Sequence, residues 1–319
     1  MVGVIIPTYK SLETLPATFD SLVAQTKKDF ITIPVIDGDG LDYSEIFKEY
    51  ERRGLKIKPV ILKENGGPGM ARQAGIDAAE MCTYLIFCDS DDIMLPQAVK
   101  TLSREIMVNQ GDILKCNFII EETNASNRIV DALKSPVQWM HGTIYRRQYL
   151  VDKGIRFLPE IRYCEDSYFN LVAHCCADKD LRLDEPVYLW RENKNSITHT
   201  FGDSANRFRQ TLDQYVPGQA LAIQKIYEIK GEMPAASLAA TVFNIYQYTQ
   251  LSSFYKIDGH INDKYFEPLK ENEKFQKAIT SPDFWIAAQE VVKPYIKEDE
   301  NLVFFRQNFP DFIEEFLKK

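Results

Sequence analysis

The first 110 residues alternate short apolar runs with helix-spaced apolar stripes, and each run is closed by a turn signal. Val2 to Ile6 has the pattern of a buried strand ended by Pro7. Leu15, Phe19, Leu22 and Val23 follow at helical spacing, with Ser11 or Thr14 available as a cap. Phe30 to Ile36 reads as a second strand, Ile46 and Tyr50 as part of a short helix, and Leu55 to Leu62 as a third strand. Gly69 to Glu80 reads as a helix, Tyr84 to Cys88 as a fourth strand, and Pro96 to Val108 as a helix with proline in its first turn. This order predicts βαβ units and a mostly parallel sheet covered by helices on both faces. Such a sheet binds ligands beyond the carboxyl ends of its strands. Polar clusters fall just past three of those ends: Thr8-Tyr9, Asp37-Gly-Asp-Gly40 and Asp89-Ser-Asp-Asp92.

Farther along, Ile113 to Ile120 is another strand-like run, and Glu121 to Ser135 is a polar stretch read as a surface loop. Tyr168, Leu171, Val172 and Cys175 have helical spacing behind Cys164-Glu-Asp166, and Pro186 to Trp190 reads as the last strand of this domain. Strand signals then stop, which predicts an α/β domain over 1–205 and a helical domain over 206–319. The second region carries apolar stripes at Leu238, Val242, Ile245 and Thr249, at Phe284, Ala288, Val292 and Tyr295, and at Phe309, Phe312, Ile313 and Phe316. The last stripe has the amphipathic form of a helix that touches lipid or a partner, but its evenly mixed polar face favours packing on its own domain. An acceptor-site or oligomerisation role is expected of this region.

A net charge of -8 argues against non-specific binding to nucleic acid, where affinity comes from clustered Lys and Arg. The six cysteines, at 82, 88, 116, 164, 175 and 176, show no CxxC spacing and read as buried free thiols in a reducing compartment. The chain opens directly into an apolar run without a basic region or cleavage site, and no stretch approaches 18 uninterrupted apolar residues. A soluble, cytoplasmic protein is therefore expected.

Asp89-Ser-Asp91-Asp92 is the sharpest chemical feature. It follows four apolar or aromatic residues, so its carboxylates gather at a strand end, where they can converge on Mg²⁺ or Mn²⁺ or open a helix. Asp37-Gly-Asp-Gly40 is either a plain turn or an element accepting hydrogen bonds from a base or ribose. Asn65-Gly-Gly-Pro-Gly-Met-Ala-Arg72 runs into a helix and offers an anion site, yet it has neither a GK[ST] ending nor GxGxxG spacing. Glu165-Asp166 is a helix-start acidic pair or a general base over a pocket. Arg191 and His199 could serve a phosphate-bearing ligand. No HExxH or GxSxG is present.

Together these pieces resemble the inverting glycosyltransferases of family 2, which have the GT-A (nucleotide-diphospho-sugar transferase) fold. Val4-Ile-Ile-Pro-Thr-Tyr9 is similar to that family's first strand and nucleotide loop, including Pro7, Thr8 and Tyr9. Asp37 and Asp39 match its acidic nucleotide-contacting positions, although the two Asp residues are usually adjacent. The 65–72 segment, with Gly67 and Arg72, is similar to the family's Asn-Lys-Gly-xx-xx-Ala-Arg-Asn segment, with Gln73 where Asn is common. Asp89, Ser90 and Asp91 resemble its metal-binding DxD, Glu165 and Asp166 its acidic pair with Asp166 as base, and Arg191 and His199 its closing element near the diphosphate, with His199 a further metal ligand. The resemblance implies a UDP-sugar donor, a bound Mn²⁺ or Mg²⁺, and a glycan, lipid-linked, polymeric or other hydroxyl acceptor, as in surface polysaccharide synthesis. It leaves peripheral contact with the inner face of a membrane and homo-oligomerisation open. A nucleotidyltransferase-like enzyme and a degenerate GT-A scaffold are the alternatives. The first would want a basic cluster after strand one, where only Lys10 stands; the second would want an acidic element missing, and none is.

Overall fold

The computed structural model describes residues 1–123, 128–133, 138–193, 204–254, 263–294 and 308–318. Two compact units divide between His199 and Thr200. The first is a nine-stranded mixed sheet in the order β3-β2-β1-β4-β8-β6-β9-β5, with β7 paired to β6. The strands are β1 (Val2–Thr8), β2 (Phe30–Asp37), β3 (Val60–Leu62), β4 (Tyr84–Phe87), β5 (Ile93–Met94), β6 (Ile113–Thr123), β7 (Arg128–Leu133), β8 (Thr143–Arg146) and β9 (Asp180–Arg191). Pairs β1–β2, β1–β4, β2–β3 and β6–β9 are parallel, whereas β8 runs against both β4 and β6. The helices are α1 (Leu15–Val23), α2 (Ser44–Arg52), α3 (Pro68–Ala78), α4 (Ala98–Val108), α5 (Arg147–Asp152) and α6 (Glu165–Cys176). This is the α/β architecture of a GT-A fold.

Local chemistry explains where the strands run. β1 is buried almost throughout and continues through Pro7, in a central strand where proline is normally excluded. Ile5 carbonyl accepts from Cys88 N at 3.0 Å, so residues 3, 5 and 7 turn their peptide groups toward β4. β4 pairs only as far as Ile5, so the N–H that Pro7 lacks would have met no ladder partner. The third strand is shorter than its apolar run suggested. Before Val60 it makes a single bridge, Thr32 to Ile57, and Pro59 interrupts it. The polar stretch after residue 120 is not a loop: β6 continues to Thr123 and β7 pairs back in register from Thr123–Arg128 to Phe118–Leu133. Turn-forming Asn and Ser residues masked the strand alternation there. None of the six cysteines forms a disulfide among the described residues.

The second unit is helical: α7 (Ser204–Lys230), α8 (Ala235–Phe254), α9 (Glu267–Lys270), α10 (Glu273–Ile279), α11 (Pro282–Val292) and α12 (Phe309–Phe316). Leu238, Val242 and Ile245 on α8 and Phe284, Ala288 and Val292 on α11 are buried, as their spacing predicts. On α12, Phe309, Phe312 and Ile313 are buried, and the Phe309 ring lies 5.6 Å from Tyr246 and 5.9 Å from Trp285. The last apolar face is therefore packed within its own unit. Tyr295 lies outside the described residues. No helix among the described residues is long and apolar enough to cross a membrane.

Candidate active site

Several of the predicted residues that are described lie at one edge of the first unit. Tyr9 follows β1, Asp37 ends β2, Asp89 to Asp92 lie between β4 and β5, and Arg191 ends β9. Because β8 runs the opposite way, its amino end, preceded by His141, lies at this same edge.

Asp37 organises the glycine-rich turn. Its buried carboxylate accepts from Gly66 N at 2.8 Å, Gly67 N at 2.9 Å and Asn65 Nδ2 at 2.9 Å. Burial pushes its pKa up, against the lowering effect of the two glycine N–H groups. Gly38 has a φ of +63°, and a Cβ there would lie 2.3 Å from the Glu64 carbonyl carbon, so only glycine lets β2 close on this turn. The anion that the turn's donors hold in this structure is thus the chain's own Asp37. Asp39 shapes the loop after β1 instead. It accepts from Lys10 N at 2.7 Å, Tyr43 Oη at 2.6 Å and Leu41 N at 3.0 Å, and these bonds outweigh partial burial to hold its pKa below the ordinary value. Thr8 is buried and Tyr9 exposed, while Ser11 Oγ is 2.7 Å from Ser90 Oγ, which ties this loop to the acidic one.

Arg72 links the acidic elements. From the first turns of α3 it donates through Nη2 to Asp89 at 2.6 Å and through Nη1 to Glu165 at 2.5 Å. The approach is close because Gly69 leaves room: a Cβ there would sit 2.9 Å from Glu165 Cγ. Gln73 is built into the same junction, accepting from Phe157 N at 3.0 Å and donating to Asp77 at 2.9 Å. The segment it holds leads to Cys164, whose left-handed φ of +56° turns the chain into Glu165 and Asp166. Burial raises the Asp89 pKa, but Arg72 and then His141 outweigh it and keep this carboxyl below the ordinary range. Burial raises Glu165 as well, opposed by Arg72. Asp166, which accepts from Ser167 N at 2.8 Å, is pushed up to about 7 by burial and by the neighbouring Glu165 charge.

Asp91 accepts from Asn193 Nδ2 at 2.7 Å, and burial together with Asp89 raises its pKa. Asp92 is deeply buried, accepting from Tyr188 Oη at 2.7 Å and Arg191 N at 2.9 Å. Arg191 also donates through Nε to Glu121 at 3.4 Å. His199 lies outside the described residues.

The sequence sets His141 before Gly142 at a strand-like edge and assigns it no role. Its Nε2 is 3.9 Å from a carboxylate oxygen of both Asp89 and Asp92, and its buried Nδ1 has no hydrogen-bond partner among the described residues. Asp89, Asp92 and His141 each offer one ligand atom, and the three lie within 4.8 Å of one another. Two carboxylate oxygens and an imidazole nitrogen fit a divalent cation such as Mn²⁺ or Mg²⁺. The only signal in the sequence was a short apolar run, Thr143 to Tyr145, behind the histidine; without β8 placed between β4 and β6, nothing joined His141 to Asp89.

Residues 3–158 match the family model "Glycosyl transferase family 2". Over 250 residues the chain is 31% identical to the uncharacterized glycosyltransferase EpsJ of Bacillus subtilis (strain 168), spanning 72% of this chain and 68% of EpsJ. The chain belongs to glycosyl transferase family 2. It is a glycosyltransferase that takes its sugar from a nucleotide-sugar donor. Among other relatives, the poly(ribitol-phosphate) beta-glucosyltransferase of Bacillus spizizenii (strain ATCC 23059 / NRRL B-14472 / W23) is 28% identical over 56% of this chain and 30% of its own length. The transferase also shares its fold with S. aureus TarS 1-349 solved in complex with UDP-GlcNAc, with a TM-score of 0.62 and 21% identity over 97% of this chain and 88% of that one.

Proposed function

We propose that the transferase moves a sugar from a UDP-sugar to an acceptor hydroxyl with inversion, in the synthesis of a surface polysaccharide or other glycoconjugate. The observation that carries this reading is the Arg72 bridge, which joins Asp89, at the donor end, to Glu165 beside Asp166. In this reading the nucleotide lies across Pro7, Thr8 and Tyr9 and against the Asp37–Gly67 turn, with Asp39 and Ser90 holding the loops around it. Asp89 and Asp91, with the Asp92–His141 pair beside them, hold the divalent cation, and His199 is a further candidate ligand. When bound, that cation neutralises charge gathering on the departing diphosphate. Arg191 steadies the same group.

Asp166 takes the proton of the acceptor hydroxyl as its oxygen forms the new bond to the anomeric carbon. The bond from that carbon to the diphosphate oxygen breaks on the opposite face, and its electron pair leaves with UDP. One displacement on an α-linked donor gives a β-linked product, in keeping with the beta-glucosyltransferase relative; UDP as the nucleotude part of the donor is supported by the TarS complex. A pKa near 7 suits a base that must be free at neutral pH yet accept a proton in the transition state. The helical second unit is proposed to shape the acceptor side or an oligomer contact, and the protein to work in the cytoplasm at the inner face of the membrane.

The test is Asp166→Asn. Turnover should fall by about 10²–10⁴-fold while UDP affinity stays within a factor of about two. Equal loss of both would remove Asp166 from the role of base.

A further inference from the structure

Asn170 stands one helical turn after Asp166 on α6, so the two side chains share a face. Its Oδ1 accepts from Tyr145 Oη at 2.5 Å, and its Nδ2 donates to the Gln138 carbonyl at 3.1 Å. The next carbonyl, that of Trp139, accepts from Lys115 Nζ, which also donates to Thr143 Oγ1 at 3.3 Å. Lys115 is 1% exposed, a depth at which lysine is rare, and it lies within electrostatic reach of Asp166. Two buried donors thus fix two successive carbonyls beside the proposed base.

The side chain carried by this pinned backbone faces outward. Trp139 is 38% exposed. Its ring lies 5.4 Å from buried Phe118 and 6.2 Å from His141, and the His141 ring lies 5.0 Å from Tyr188. An aromatic run therefore leads from the Asp89–Asp92 cluster to a part-exposed indole.

We propose that Trp139 is the platform of the acceptor subsite and stacks against the apolar face of a pyranose ring, so that the acceptor is itself a sugar. The proposal rests on the reading of Asp166 as base. A pyranose combines a flat C–H face with a rim of hydroxyls, the shape an exposed, immobilised indole accepts at small entropic cost. An acyclic polyol phosphate has no such face.

The probes are methyl β-glucoside, methyl β-galactoside and methyl β-N-acetylglucosaminide, with ribitol 5-phosphate as the acyclic comparison. Binding is followed by saturation-transfer NMR in the presence of UDP and Mg²⁺, and UDP release is measured separately with and without each probe. At least one glycoside should receive saturation on the protons of one ring face and accelerate UDP release. Trp139→Ala should raise the glycoside KM about tenfold, equivalent to about 1.4 kcal/mol, with donor hydrolysis within a factor of about two. Trp139→Phe should restore most of the binding. No saturation of any glycoside, binding of ribitol 5-phosphate alone, or an unchanged KM in Trp139→Ala would each overturn the proposal. Donor hydrolysis without any probe reports on the donor site alone: its absence would sink the transfer mechanism, while the NMR titration would still decide the role of Trp139.

Discussion

Arg72 satisfies carboxylates from two different elements with one buried guanidinium, a task that needs a planar fork of donors. Lysine offers a point charge and can reach one partner at a time. Arg72→Lys is therefore expected to lower stability by about 1–3 kcal/mol in urea unfolding and to reduce kcat/KM about 10²-fold, because Asp89 and Glu165 lose their common anchor. Asp166 carries a cost of another kind. Its folded pKa, about 7, lies above the ordinary value of 3.8, so folding takes up a proton between those values. The stability contributed by the neutral carboxyl is complete below the ordinary value and is lost as pH rises through about 7. Asp166→Asn cannot ionise, so its melting temperature should exceed that of the parent by roughly 3–6 °C at pH 8, with the gap closing toward pH 4. At this scale the sequence displayed the acidic groups at strand and helix ends, where polarity breaks an apolar run. It hid His141 and the aromatic run to Trp139, whose partners are remote in the chain.

The elements most legible in the sequence were those whose pattern is set locally. β1, β2, β4, α3 and α4 each carry an apolar run or stripe bounded by Pro, Gly or Asp, and they sit within a few residues of their expected limits. β5 and β7 were missed, and β8 showed only as a strand-like edge at Gly142, because two to six residues paired antiparallel owe their form to neighbours, not to their own periodicity. The end of α4 shows local chemistry at its most testable. Gly111 N donates to Ile106 O at 3.0 Å and Gln110 N to Met107 O at 3.3 Å, with Gln110 at a φ of +51°. This is a Schellman ending whose left-handed position is filled by a residue with a Cβ. Gln110→Gly should stabilise the protein by about 0.5–1 kcal/mol, visible as a melting temperature raised by roughly 1–4 °C, with activity unchanged.

For the whole molecule, the βαβ order predicted a sheet with one chemically loaded edge, and the fold places β1, β2, β4 and β9 with their carboxyl ends there. Ligands that bind only the folded edge must stabilise the chain by mass action. UDP with Mn²⁺, each at about a hundred times its Kd, should raise the melting temperature by roughly 5–10 °C, and a chelator should return most of that gain. Calorimetric scans with and without each component would separate their shares.

The strand order also ends in stubs: three residues of β3 at one side and two of β5 at the other. At β3 the exposed Ile61 is an adhesive residue on an open ladder, but exposed Pro59 removes a donor before the strand and exposed Lys63 sets a charge after it. At these two ends a second copy of the sheet finds little backbone to extend. The same shortness that made β3 and β5 hard to read leaves little backbone for edge-to-edge pairing at either end of the strand order.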